Sequence, residues 1–233
     1  VKSRIATAIA TAGVLAYAAL APRLGRRHAA LSAAGASAVA LGVARVWGVT
    51  PDALGLAPSR ARRGAAVGVA AAVPIAAGVI AGSRHPATSA FFADARVVAL
   101  SNRDAAYELF VRIPVVTAAT EEILFRSVLL GVASESLGVR RAVVWTSLVF
   151  GVWHMVPALH SHRHNSAAAD AVDGVGGRAA LVVGTVAATA VAGLGLCALR
   201  LRTQSVVTPI VVHAAVNGVA FAVARAMSRR AGC

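Results

Sequence analysis

The chain has 233 residues, 58% of them hydrophobic and 14% charged, with a mean hydropathy of +0.73. Soluble domains are about 45–50% apolar, so composition argues against a water-soluble globular class. The net charge of +14 does not make it a nucleic-acid binder, because no RNA motif or aromatic stacking platform accompanies the basic residues.

Seven apolar runs follow one another, at residues 5–20, 31–47, 65–81, 107–133, 143–156, 179–199 and 206–227. About 20 apolar residues in a helix cross roughly 30 Å of hydrocarbon. The expected fold is therefore all-α, a polytopic transmembrane helix bundle of about seven spans, with six to eight as the range. The first run starts with Lys2 and Arg4, as a signal peptide would, but the following Ala-Pro-Arg-Leu-Gly-Arg-Arg (21–27) reads as a loop between spans. A retained first helix is expected.

Arginines group between the runs: Arg23, Arg26 and Arg27; Arg60, Arg62 and Arg63; Arg140 and Arg141; Arg225, Arg229 and Arg230. Such clusters bind lipid headgroups, which makes membrane lipids the first expected partner. They occur in nearly every loop, so the positive-inside rule leaves orientation open. Arg45, near the end of the second run, is expected to snorkel to the interface. Phe91 and Phe92, flanked by Arg84 and Arg96, suggest an interfacial helix in the connection 83–103. Cys197 and Cys233 offer neither a disulfide framework nor metal spacing.

The chain divides into residues 1–103, structural helices with almost no intramembrane charge, and residues 104–233, which carry every buried functional group. Asp104 is a candidate N-cap for the helix of the fourth run. That run contains Glu121, Glu122 and Arg126. A carboxylate at mid-bilayer costs about 2.5–3.5 kcal/mol, so the pair must face protein or a wet cavity. On a helix Glu122 and Arg126 share a face, which predicts an ion pair. Glu121 points about 100° away and lacks a partner on its own helix. An unpaired buried carboxylate suits general-base work.

The fifth run brings Phe150 and His154 onto one face, and Pro157 is expected to end its helix. The last run brings His213 and Asn217 together in the same way. His and Asn are donors for a developing oxyanion. Glu121, His154 and His213 are equally an ordinary zinc set, so Zn2+ is a candidate cofactor and a metal-free route stays open. His160, His162 and His164 alternate in the loop 158–178 and are expected to be a solvated segment dispensable for chemistry.

Glu-Glu-x-x-x-Arg, Phe-x-x-x-His and His-x-x-x-Asn, each in a late hydrophobic segment, resemble the CAAX protease and bacteriocin-processing (CPBP, or Abi) family, which includes the type II prenyl-protein endopeptidases. The likeness covers roughly 107–227. It implies an intramembrane endopeptidase in which Glu121 and His154 activate water, and His213 and Asn217 stabilise the oxyanion. Glu122 and Arg126 take a structural role. Substrates would be membrane-associated peptides, membrane proteins or lipidated tails, with prenyl processing the less favoured. Composition suggests a bacterial plasma membrane. Two other readings stay open: a non-catalytic immunity or scaffold protein of the same family, and a proton channel or transporter. The residues say nothing of oligomeric state.

Overall fold

A computed structural model describes residues 2–24, 26–92, 94–161 and 174–231. The architecture is all-α, with no strand among the described residues. The helices are α1 (Lys2–Leu20), α2 (Arg26–Val46), α3 (Pro51–Leu54), α4 (Pro58–Arg84), α5 (Ala95–Val98), α6 (102–137), α7 (Val139–Trp153), α8 (Met155–Ser161), α9 (Gly174–Thr203) and α10 (Val207–Ala231). Phe91 and Phe92 end a short 3-10 turn, Ser89–Phe92, rather than a longer interfacial helix.

Each apolar run of the sequence falls on helix. Five stretches are long and apolar enough to cross a membrane: His28–Val46, Pro51–Arg84, Val139–Leu159, Gly176–Thr203 and Val207–Met227. Arg4–Leu20 is apolar but shorter. The outer surface shows Leu31, Phe110 and Val191 at 74%, 72% and 67% exposure. Burying such a side chain away from water gains about 1.5–3 kcal/mol, so this surface belongs against lipid, and the chain is an integral membrane protein. Arg45 is exposed at the end of α2 and donates to the Val49 carbonyl at 2.6 Å.

The axis of the molecule is α6. Its side chains from Leu124 to Ala133 are all buried. One face packs with Val14 of α1 and Val149, Phe150 and Trp153 of α7. Another packs with Ala6, Ala44, Val49 and Leu54, and a third with Ala142 and Cys197. A helix apolar all round belongs at the centre of a bundle. This rod is not plain α-helix. It is π-wound over Glu108–Ala119 and Ile123–Leu129, on either side of an α turn at Thr120–Glu122. Pro114 lies in the first π segment; it has no N–H to donate and its ring crowds the preceding turn. Widening to i→i+5 bonds is a known way to absorb such a disturbance. The N-cap is Ser101 instead of the expected Asp104. Ser101 Oγ accepts from the Asp104 N–H and donates to the Asp104 carboxylate. The serine stands one residue before the first helical turn, where its hydroxyl reaches an otherwise unpaired N–H of that turn.

Two joints set the angle between the site-bearing helices. Gly138, at φ +77° and ψ 152°, turns α6 into α7 in one residue; a side chain is disfavoured there. The second joint is at His154, which caps α7 with φ −80° and ψ −3°. Pro157 had been expected to end this helix, yet it sits inside α8. The break comes before the proline because its ring excludes the carbonyl four residues upstream, that of Trp153.

Close approach of backbones positions α10 and α7. A Cβ at Gly64 would lie 2.6 Å from Ser205 Oγ, and one at Gly68 would lie 3.0 Å from the Thr208 carbonyl. A Cβ at Gly151 would lie 2.6 Å from the Val186 carbonyl of α9. Small residues at crossings let membrane helices pack by dispersion. Here they seat α10, which carries His213, and α7, which carries Phe150 and His154.

Candidate active site

Glu122 and Arg126 are fully buried, and Arg126 Nη1 donates to Glu122 Oε1 at 3.0 Å. The i,i+4 spacing predicts this contact. A second partner was not anticipated. His213 of α10 places Nδ1 2.7 Å from the same Oε1 atom. An oxygen that accepts from a guanidinium and an imidazole together is an ionised carboxylate, so Nδ1 of His213 carries the proton. Glu122 therefore ties α6 to α10 as well as neutralising Arg126. Spacing along the chain gave no signal of this, since the two residues are 91 apart.

The Arg126 guanidinium also lies over the ring of Phe150, 4.0 Å from its centroid. Phe150 is a hub. His154 packs edge-on against it at 4.6 Å, His213 at 6.1 Å and Phe125 at 5.0 Å between centroids. Both imidazoles thus touch one ring, carried by the motif Phe-x-x-x-His. Its role is to position three polar groups while excluding water from Arg126; the cation–π contact is worth about 2 kcal/mol when desolvated.

His154 is partly buried at the break between α7 and α8, with Nδ1 2.8 Å from the Phe150 carbonyl. A carbonyl only accepts, so Nδ1 holds a hydrogen and Nε2 is the nitrogen left to the site. Glu121 is 9% exposed, and its Oε2 atom has no hydrogen-bond partner among the described residues. It lies within electrostatic range of His154, His213, Glu122 and Arg126. His213 Nε2 is 3.9 Å from Glu121 Oε2. That is too long for a hydrogen bond, but one oxygen atom at about 2.8 Å from each bridges such a gap. Asn217 follows His213 by one turn of α10 and is half-buried.

Glu121 opens onto a cavity of about 510 Å3. Its walls include Tyr17 of α1, Arg96 of α5, Arg112 and Thr120 of α6, and Trp153 and Pro157 beside His154. Among these, Arg112 was overlooked in the sequence. Its signal was a charge inside the apolar run, nine residues before Glu121.

Zinc was a candidate because Glu121, His154 and His213 are ordinary ligands. Each imidazole has Nδ1 engaged and Nε2 open, as a ligating histidine does. Yet no group of three His, Cys, Asp or Glu among the described residues is arranged to hold a metal ion. As they stand, the residues do not fit a three-ligand centre. His162 and His164 lie outside the described residues, as does the side chain of His160.

Residues 104–219, which contain all of the motif positions, match the model of a protein family described as type II CAAX prenyl endopeptidase Rce1-like. No curated protein and no solved structure matches the chain.

Proposed function

We propose, for a chain whose residues 104–219 form a domain of the Rce1-like family of CAAX-type proteases, that it is an intramembrane endopeptidase working by carboxylate-activated water. The single observation that carries the reading is Glu121: a carboxylate buried in the bundle that lines a cavity, with one oxygen that has no hydrogen-bond partner among the described residues. Structural carboxylates in membranes are paired, as Glu122 is through Oε1 with Arg126 and His213.

In this reading a water held at Glu121 and His154 gives a proton to the carboxylate as its oxygen bonds to the scissile carbonyl carbon. The carbonyl oxygen becomes an oxyanion and takes hydrogen bonds from the Asn217 amide and from His213. His213 donates through Nε2 in its imidazolium form, which the ionised Glu122 at Nδ1 stabilises. The C–N bond then breaks, and the proton passes from Glu121 to the leaving amine. Products are a carboxylic acid and an amine, and every proton is accounted for. Glu122 and Arg126 are positioning residues. No step is routed through a metal. Substrates are membrane-associated peptides, membrane proteins or lipidated tails, and the location is a bacterial plasma membrane.

The test is a pool of membrane-anchored peptides incubated with the purified protein in liposomes, with cleaved bonds read by mass spectrometry. Wild type is expected to cut a defined subset. Glu121→Gln, at equal folded amount, should lose about 10²–10⁴-fold, the usual worth of a general base. Equal cleavage by both proteins would refute the assignment. An immunity or scaffold role predicts no cleavage by either.

A further inference from the structure

We propose that Arg96 and Arg112 form a carboxylate-binding subsite at the rim of the Glu121 cavity, holding the free α-carboxylate of the substrate's C-terminus. The inference deepens the peptidase reading and rests on it for the word substrate. Both arginines line the same cavity as Glu121. They come from different elements, α5 and α6, yet share one construction. Arg112 Nη1 donates to Glu108 at 2.8 Å, and Arg96 donates to both oxygens of Asp94 through Nε and Nη2.

In each pair the acid is the less exposed member. Side-chain exposure is 12% for Glu108 against 48% for Arg112, and 23% for Asp94 against 59% for Arg96. The carboxylates therefore stand behind the arginines and aim them. An arginine has five N–H donors in a planar fork. Among the described residues, the contacts to Glu108 and Asp94 leave Nε and Nη2 of Arg112 and Nη1 of Arg96 for an incoming anion. Charge-assisted bonds from two guanidiniums to one carboxylate are short and directional.

The alternative for arginines near a membrane surface is headgroup binding, which would need no cavity and no aiming acids. Arg112 and Glu121 lie on the same rod nine residues apart. An anchored carboxylate would therefore present the chain to Glu121 at a fixed distance from its end. The α-carboxylate is the anion every peptide carries whatever its sequence, so this subsite would read the terminus and not the side chains.

The experiment uses the full chain in phosphatidylcholine liposomes and N-terminally palmitoylated, quenched-fluorescent peptides. Each sequence is made twice, with a free C-terminal acid and with a C-terminal amide. Wild type is expected to prefer the acid at least tenfold in kcat/KM, chiefly through KM. Arg112→Gln and Arg96→Gln should each shrink that preference and the double variant should erase it, while Arg→Lys at either position keeps part of it. A wild-type acid-to-amide ratio near one overturns the proposal, as does a double variant that keeps the preference.

Adding phosphatidylglycerol separates lipid from substrate. A rate that depends on anionic lipid, with no acid preference, assigns the arginines to headgroups and overturns the subsite. A binding arm uses Glu121→Gln protein with the same two peptides, read by anisotropy. Acid-selective binding that vanishes in the arginine variants, with no cleavage by wild type, would sink the peptidase reading and leave the subsite standing. Cleavage without acid preference does the reverse.

Discussion

Glu122→Gln should destabilise the fold far more than its exposure-neutral chemistry suggests. The substitution keeps the shape and removes the charge. Arg126, 0% exposed, would then face a neutral amide oxygen and the rings of Phe150 and Phe125, with no opposite charge on its own helix turn. Breaking one member of a buried ion pair costs about 3–5 kcal/mol. The interhelical bond to His213 adds about 0.6 kcal/mol, the average for such bonds in membranes, and at most about 1.7 kcal/mol. Arg126→Met should cost less, at the low end of the same range, because the Nδ1–H of His213 still donates to Glu122. The double variant removes both charges and should come back to within about 1–2 kcal/mol of wild type. Equilibrium unfolding of the four proteins in one detergent gives the coupling directly, and the two single losses less the double loss make it about 5 kcal/mol or more. Two single losses that simply add, to within about 0.5 kcal/mol, would refute the pair as the source of stability. Peptidase activity gives a second readout. The double variant should fold but stay impaired, because His213 has lost its anionic partner; full activity would refute a positioning role for Glu122.

Three other outcomes follow from the same geometry. Gly68→Leu should destabilise by about 1–3 kcal/mol, the usual range for overpacking, because even its Cβ would stand 2.9 Å from Val211 Cβ; a thermal melt with an unchanged midpoint would contradict this. Protein stripped by a strong chelator and shown metal-free should retain its peptidase activity, whereas activity restored only by added zinc would overturn the metal-free route. Replacing His160, His162 and His164 with alanine together should leave cleavage within about threefold of wild type, since that change is under 1 kcal/mol; loss of activity would move chemistry into the loop.

What the sequence alone determined was the part governed by distance along the chain. A backbone in hydrocarbon must satisfy its own hydrogen bonds, so each long apolar run had to be helix, and the runs at 5–20 through 206–227 are. The Glu122–Arg126 contact was legible for the same reason: helix periodicity places residues four apart on one face, and the π turns after Glu122 leave the 3.0 Å contact intact. Tertiary packing decided the rest. Which atom His213 reaches depends on how deeply α10 seats, and that depth is set by Gly64 and Gly68 meeting Ser205, Thr208 and Val211. His213 consequently turns Nδ1 to Glu122, a contact that no spacing encodes. The ring of Phe150 between two imidazoles depends on the one-residue turn at Gly138 and on the close crossing at Gly151. Pro157 shows both levels in one residue. Its presence announced a break, but the break falls at His154 because the steric conflict lies with the carbonyl four residues back. Helix geometry is a short-range property, readable from any local window. The meeting of Arg126, His154 and His213 around one ring is long-range, and only the packing of helices against α6 brings it about.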